Sequence, residues 1–488
     1  MHKQSEDEGC LEDCIFHYYC SMKLTFCGAA RTVTGSKHLL TTDSGKQVLL
    51  DCGLFQGEGH DTLPLNNHWG FEPRDIAYVI LSHAHIDHSG LLPKLYKDGF
   101  NGKIYATAGT IALCEIMLLD SARIQESDLK YINKRKIEKK EKPIEPLYDE
   151  EDAKQVLDNM IELPLNGKKN IDDEISVSTF ESGHIIGSVA LFLEIKRQNG
   201  EVVKLTFTGD IGRKNDAILK GPAPFPQSDY IICESTYGNR LHSVQTDVEE
   251  KLLEVVQSTC IEKGGKIVIP AFSIDRTQEI IYALDQLAHD GKLPKIDVYV
   301  DSPLSVKATS VMSKHREYFN QDILTYISKD GNPFEFPYLH YVESAEESKK
   351  INTNKKPCII ISASGMAEAG RVKHHIKNNI ENPNNTILLV GFASESSLAG
   401  RIKAGDKEVR IFGDFFKVKA RIESMENFSA HGDYNEMLEY LLCQDPSKVR
   451  KMFLVHGEYE TQKDWAVKLT DNGFLNIAIP EKGEEFTI

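Results

Sequence analysis

The chain has 488 residues, 41% of them hydrophobic and 27% charged, the balance of a globular protein rather than of a disordered or fibrous one. Lys plus Arg number 57 against 73 Asp plus Glu, a formal charge of −16, so the molecule as a whole does not attract nucleic acid or anionic membranes and any polyanion site must be local. No apolar run reaches the length of a membrane span and the N-terminus, MHKQSEDEG, is acidic without an apolar signal region, so the expectation is a cytoplasmic protein without membrane contact.

The 10 cysteines are dispersed except for Cys10, Cys14 and Cys20, which argues against a disulfide framework. Those three with His2 and His17 could be drawn onto a metal, but their spacing matches no zinc pattern. The plainer reading makes residues 1 to 21 a dispensable leader, because the first alternating strand, MKLTFCG, opens at Met22. Short strands follow: SKHLLTTDSG, QVLLDCG and AYVILSHAH, each bounded by Gly, Asp or Ser. Residues 109 to 160 take helical spacing and include the basic run Lys130 to Lys142, read as a solvated helix face in preference to an RNA-contacting arm. Strands return at ISVSTFESGH, SVALFLEIK and VVKLTFTGD, and GPAPFPQSD connects them to YIICES. Beyond Gly238 the texture alternates strand and helix (KIVIPAFS, RTQEIIYALDQLAHDG, KIDVYVDS, PCIIISASGM, TILLVGF), the mark of a largely parallel α/β sheet. From Phe428 the order reads strand, helix, strand, helix.

The most specific feature is His83-Ala84-His85-Ile86-Asp87-His88, directly after an apolar strand. Alternation of side chains along an extended exit points His83 and His85 the same way, so both imidazoles can take one metal while Asp87 and His88 turn toward a second. Such mixed nitrogen and oxygen donors suit Zn²⁺, with Mn²⁺ or Fe²⁺ also compatible. Two distant strand ends, Glu181-Ser182-Gly183-His184 and Phe207-Thr208-Gly209-Asp210, supply further donors, and one carboxylate can bridge two metals. Asp51, ending the strand QVLLD, is placed to orient one of the histidines.

Asp51, HAHIDH, His184 and Asp210, in that order on strand ends, resemble the metallo-β-lactamase superfamily, whose αββα sandwich becomes the implied fold. Glu234-Ser235-Thr236-Tyr237-Gly238, Phe428 to Tyr434 (FSAHGDY) and Leu454 to Glu458 (LVHGE) resemble the further motifs of its β-CASP nucleases. That resemblance runs from Met22 to the C-terminus and implies a sandwich over 22–238 and 428–488 interrupted by an inserted α/β domain over 239–427. It also implies a set of roles: His83, His85 and His184 on one zinc; Asp87, His88 and His456 on the other; Asp210 between them. His431 takes the place of the family's general acid, with Glu234 holding it, and histidine at 456 is closer to the RNA-processing branch than to the DNA cross-link repair branch. The chain ends about 30 residues after His456, so no appended RNA-binding domain of the ribonuclease J kind is expected.

The reaction implied is hydrolysis of RNA phosphodiesters by metal-activated hydroxide, with His431 protonating the leaving ribose oxygen and 5′-phosphate and 3′-hydroxyl ends as products. RNA is the expected partner, two Zn²⁺ per chain the cofactor, and self-association is left open. For phosphate binding the candidates are Ser362, Ser364 and Gly365 in a turn, Arg371 and Lys373 just downstream, and Arg276 opening a helix near its positive end. Two places depart from the family pattern: Asp275 stands where glycine is usual, and Ser396 to Arg401 loosens a glycine-rich stretch. The competing readings are a hydrolase of a small ester or thioester and a silent scaffold in an RNA-processing complex; the first is disfavoured by the inserted domain, the second by the full set of candidate ligands.

Overall fold

The computed structural model describes residues 21–57, 59–138, 141–242, 248–391, 393–425 and 428–488. The expected leader, apart from Ser21, and the Cys10, Cys14, Cys20, His2 and His17 group lie outside the described residues.

Two seven-stranded sheets face each other. In the first the order is Glu485–Thr487, Lys23–Gly28, Lys37–Thr41, Gln47–Leu50, Ile76–Ile80, Lys103–Thr107, Met160–Leu163. In the second it is Ile477–Ala478, Lys451–Val455, Tyr230–Glu234, Val202–Phe207, Val189–Lys196, Ile175–Glu181, Lys168–Asn170. Each sheet is antiparallel over one half and parallel over the other, so both faces must be covered. The inner faces supply Leu24, Phe26, Leu50 and Ile80 from one side and Leu191, Val203, Phe207 and Phe453 from the other, all buried in one apolar layer. Strand Ile175–Glu181 shows how the pattern does this: every second residue is buried, the period of a pleated strand packed on one face. Helices Tyr434–Leu441 and Tyr459–Asp471 cover the outer face of the second sheet through Met437, Leu441, Trp465 and Leu469, and helix Ala108–Glu138 covers the first. This is the αββα sandwich.

A third sheet, ordered Leu339–Tyr341, Asp297–Val300, Cys358–Ser362, Ile267–Pro270, Thr386–Val390, Arg421–Met425, is parallel throughout, as the alternating texture beyond Gly238 predicts. Its central strands carry the uninterrupted apolar runs that burial on both faces demands. One expectation is corrected: Phe428 does not open a strand, because residues 428–433 form a loop and the nearby strand, Arg421–Met425, belongs to the parallel sheet. A hairpin over Glu408–Ile411 and Asp414–Lys417 also escaped the sequence reading. The part of the basic run up to Glu138 lies at the end of helix Ala108–Glu138, where Ile132, Lys134, Ile137 and Glu138 are exposed, as a solvated helix end requires. No helix among the described residues is long and apolar enough to cross a membrane.

Candidate metal centre

Six strands end at one edge of the sandwich, and the residue at or just beyond each end carries a donor. Asp51 follows Gln47–Leu50, His83 follows Ile76–Ile80, His184 follows Ile175–Glu181, Asp210 follows Val202–Phe207, Glu234 closes Tyr230–Glu234, and His456 follows Lys451–Val455. Several of these ends turn through left-handed backbone: Asp51 has φ +60° and His456 +53°, while His184 and Asp210 are each preceded by a glycine, Gly183 at +71° and Gly209 at +54°. The two glycines are thus the residues that let the chain turn without a Cβ clash and aim the next side chain across the edge.

The proton on each imidazole is placed by what its Nδ1 touches. His88 Nδ1–H donates to Asp51 Oδ2 at 2.6 Å, and His184 Nδ1–H donates to the Ala430 carbonyl at 3.2 Å. The Thr236 hydroxyl donates to the His456 carbonyl at 3.1 Å and so accepts from His456 Nδ1–H at 2.8 Å. The Ser82 hydroxyl gives its proton to Asp51 at 2.9 Å and accepts from His83 Nδ1–H at 3.0 Å. All four rings therefore turn an Nε2 lone pair inward, the arrangement by which outer partners fix the tautomer of a ligating histidine. Inside, the Nε2 atoms of His88 and His456 and the Oδ1 of Asp210 are buried with no hydrogen-bond partner. Orphaned buried acceptors cost free energy unless something absent from the polypeptide satisfies them.

Their spacing tests what that something is. His83 Nε2 and His184 Nε2 lie 3.2 Å and 3.0 Å from His85 Nδ1, and 3.5 Å and 3.4 Å from Asp210 Oδ2. A tetrahedron with bonds of about 2.0–2.1 Å to zinc has edges of about 3.3 Å. On the other side His88 Nε2 lies 3.3 Å and His456 Nε2 3.6 Å from Asp210 Oδ1, with Asp87 Oδ2 3.4 Å from His456 Nε2. The donors thus form two groups, and Asp210 presents one oxygen to each. Burial holds His85 down at about 4, burial and His88 hold His83 low, and burial and His431 hold His184 low, so these three are kept as neutral rings with lone pairs available. Burial opposes charge on His88 too, but Asp210 and Asp51 on either side outweigh it and raise His88, the response of a site that attracts positive charge. The residues fit metal ions.

Beside this cluster His431 Nδ1–H faces both oxygens of buried Glu234, at 3.1 Å and 3.2 Å, and its Nε2 lies 3.9 Å from Asp210. Burial works against protonation of His431, but Glu234, Asp210 and Asp87 more than offset it and push the imidazole up to about 9. Glu234 is itself held by the Ile211 and Thr236 backbone N–H groups.

Three regions of the chain match known families: residues 36–168 the metallo-beta-lactamase superfamily, residues 277–402 the Beta-Casp domain, and residues 416–480 the Zn-dependent metallo-hydrolase RNA specificity domain. Ribonuclease TTHA0252 of Thermus thermophilus is 33% identical over 90% of this chain and 94% of its own length. The RNase J-like protein of Methanocaldococcus jannaschii is 30% identical over 94% of this chain and 98% of its own. The transcription termination factor FttA of Methanosarcina mazei is 32% identical over 91% of this chain and 68% of its own. The chain belongs to the β-CASP branch of the metallo-β-lactamase superfamily. A protein of unknown function from Enterococcus faecalis V583 shares the fold alone, with a TM-score of 0.54 at 14% identity over 96% of this chain and all of that one.

Within the β-CASP region the residues expected to bind phosphate have internal partners. Ser362 is buried and its hydroxyl donates to the Asp301 carbonyl at 2.7 Å. Arg371 donates to Asp301 Oδ1 at 2.6 Å and to the Val342 and Glu343 carbonyls. Arg276 is buried between Glu279 and Asp275, with its guanidinium 5.9 Å over the Phe428 ring. Lys373 donates to the Glu368 carbonyl at 3.0 Å, and a side chain on Gly365 would strike the Phe272 ring. Ser364 is half-buried with only weak hydroxyl contacts, 3.4 Å from Ala369. Asp275, where the family resemblance leads one to expect glycine, has φ +68° and ψ −65° at the centre of a γ-turn closed by Arg276 N–H donating to the Ile274 carbonyl at 2.8 Å. That left-handed conformation is the physical reason for glycine there. The sequence reading missed Ser82, Thr236 and the Ala430 carbonyl, which hold ligand candidates only through folding; Thr236 and Ala430 do sit inside the motifs that were singled out, and Ser82 directly precedes the first of them.

Proposed function

We propose that this protein is a two-zinc ribonuclease that cleaves RNA phosphodiesters to leave 5′-phosphate and 3′-hydroxyl ends. One observation carries the proposal: inward-facing lone pairs, several of them without any partner, gathered around a bridging carboxylate and flanked by a separately held imidazole. His83, His85 and His184 would hold one zinc, Asp87, His88 and His456 the other, with Asp210 shared. When bound, the ion pair supplies a nucleophile at neutral pH and neutralises charge on the phosphate. The polypeptide supplies the rest. Asp51 fixes His88 and, through Ser82, His83; Thr236 fixes His456. Glu234 keeps a proton on His431, whose Nε2–H faces the metal side and can be delivered to the departing ribose oxygen.

The RNA substrate is supported by the relatives named ribonuclease, RNase J-like protein and transcription termination factor. We assign 22–238 and 428–488 to the sandwich and 239–427 to the insertion, following which strands join which sheet. The assignment of Ser362 and Arg371 changes accordingly: both fasten strand ends around Asp301, leaving Ser364 as the available member of the phosphate set. Among the described residues the cysteines are free thiols, which suits a reducing cytoplasm. A small-ester hydrolase has no use for the His431–Glu234 pair, and a scaffold none for orphaned donors. The test compares 5′-triphosphate, 5′-monophosphate and circular forms of one labelled RNA: zinc-dependent cleavage leaving 5′-phosphate ends is expected, cut circles would establish endonuclease action, and an intact set of substrates with zinc-loaded protein would overturn the proposal.

A further inference from the structure

The chain passes between the sandwich and the parallel sheet twice near His431: outward through residues 235–242 after strand Tyr230–Glu234, and back through residues 428–433 after strand Arg421–Met425. These two passages are fastened to each other. His242 Nε2–H donates to the backbone carbonyl of His431 at 2.9 Å, His242 N–H donates to Asp433 Oδ2 at 3.0 Å, and Tyr434 N–H donates to the Arg240 carbonyl at 3.2 Å. The His242 side chain is only 8% exposed. The Tyr237 ring lies beside both imidazoles, its centroid 5.3 Å from that of His242 and 6.0 Å from that of His431.

We infer that His242 is the positioning residue of His431, holding the backbone from which the proton donor projects. Glu234 fixes the imidazole at Nδ1, but an imidazole is aimed by two things, its ring partner and its main chain. On the main-chain side Gly432 N–H donates to the Ile211 carbonyl at 2.9 Å, and the Ser429 hydroxyl reaches the His431 carbonyl only at 3.3 Å. His242 is the shorter bond to that carbonyl. Asp433 anchors His242 in turn: its Oδ1 caps helix Tyr434–Leu441 by accepting from Asn435 and Glu436 N–H, and its Oδ2 accepts from His242 N–H. His242, Asp433 and Glu436 lie close enough together to suggest a cation site, but His242 Nε2 is engaged with the His431 carbonyl and the carboxylates with backbone N–H groups, so the trio serves as a latch. The latch joins the outward and returning passages, so the parallel-sheet region is tied to the proton donor's main chain. This rests on the proposed role of His431.

The test uses full-length zinc-loaded protein and a labelled single-stranded RNA, with His242→Ala, His242→Gln and His242→Asn made in wild type and in His431→Ala. His242→Ala should lower kcat about 10- to 100-fold, the scale of a slightly misplaced catalytic group, with KM and zinc content unchanged. Gln, whose side-chain amide can reach the same carbonyl, should restore most of the rate, whereas the shorter Asn should behave like Ala. In the His431→Ala background none of the three should lower the rate further. If Ala does not fold, the Gln and Asn variants decide alone, and equal rates for those two overturn the inference. So would an undiminished rate in His242→Ala, a loss carried by KM or zinc, or an equal loss in the His431→Ala background. Should wild type leave RNA intact, the functional proposal fails, and the latch is then judged by the ring nitrogen resonances of His431: they must move in Ala and Asn but not in Gln, and unchanged resonances overturn it.

Discussion

Asp210 and Asp301 are both fully buried carboxylates at the ends of strands, yet their surroundings are opposite. Asp301 Oδ1 accepts from Arg371 and its Oδ2 from His375 Nε2–H, each at 2.6 Å, with the Ser348 hydroxyl as a further donor. Burial alone would raise the Asp301 carboxyl, but the donors His375, Ser348 and Arg371 hold it low. Asp210 has histidine Nε2 atoms at 3.3–3.6 Å, none of them aimed as a donor, and its Oδ1 has no hydrogen-bond partner. Burial raises Asp210 too, but its neighbours His456, His88 and His83 outweigh burial and hold the carboxyl well below the usual range. One cluster is closed by its own hydrogen bonds; the other leaves acceptors without hydrogen-bond partners, an arrangement that suits cations. Residue type does not separate them, since both mix histidine and aspartate. Satisfaction of the polar atoms does.

The largest effect should come from the open cluster. Asp210→Ala should lose zinc and RNA cleavage together, because it removes the carboxylate that presents one oxygen to each donor group; elemental analysis alongside a cleavage assay checks this, and retained metal would show that Asp210 belongs with Asp301. Next, His431→Ala should keep zinc and RNA affinity but lower turnover by about 10² to 10⁴, with Glu234→Gln milder, measured by single-turnover cleavage. Breaking the closed cluster should do the reverse. Asp301→Ala strands Arg371 and His375 and should destabilise the fold by about 3–5 kcal/mol in denaturant unfolding, while the folded fraction keeps its zinc.

The smallest effect is expected at Asp275, whose carboxylate has, among the described residues, no hydrogen-bond donor and only the Arg276 guanidinium, 3.8 Å away, as a counter-charge. Its oxygens are buried without hydrogen-bond partners and its backbone is left-handed, so Asp275→Gly should stabilise by about 1 kcal/mol. Burial first, then the charge of Asp216, pushes the Asp275 carboxyl up to about 7 from an ordinary 3.8. The folded state therefore retains a proton that the unfolded chain has released, and wild type loses stability as pH rises between those values. The advantage of the glycine variant should be larger at pH 8 than at pH 4, and a pH-independent difference would show that strain alone is relieved.

Much of this could be read from the chain itself. Alternating burial in Ile175–Glu181, apolar runs in Cys358–Ser362 and Thr386–Val390, and donors placed at strand ends are local patterns, and they led to the sheets, the parallel insertion and the members of the open cluster. The strand expected at Phe428 was a misreading for a physical reason: FSAHG is apolar enough for a strand, but its backbone is committed to the His242 and Ile211 contacts that present His431. Of the phosphate candidates, Ser362 and Arg371 have partners on Asp301, 61 and 70 positions away, which no local pattern reveals, whereas Arg276 pairs with its neighbours Glu279 and Asp275.

What the sequence by itself determined is therefore the set of donors and the periodicities of the elements that carry them, because both depend on neighbours a few residues apart. What only the tertiary structure decided is which polar atoms are left unpaired. Asp51 reaches His88 across 37 positions, Thr236 reaches His456 across 220, and Asp301 reaches Arg371 across 70. Whether a buried carboxylate ends as a closed hub or an open metal site is settled by such long-range pairings, because the cost of an unsatisfied charge depends on everything packed around it and not on the residue that bears it.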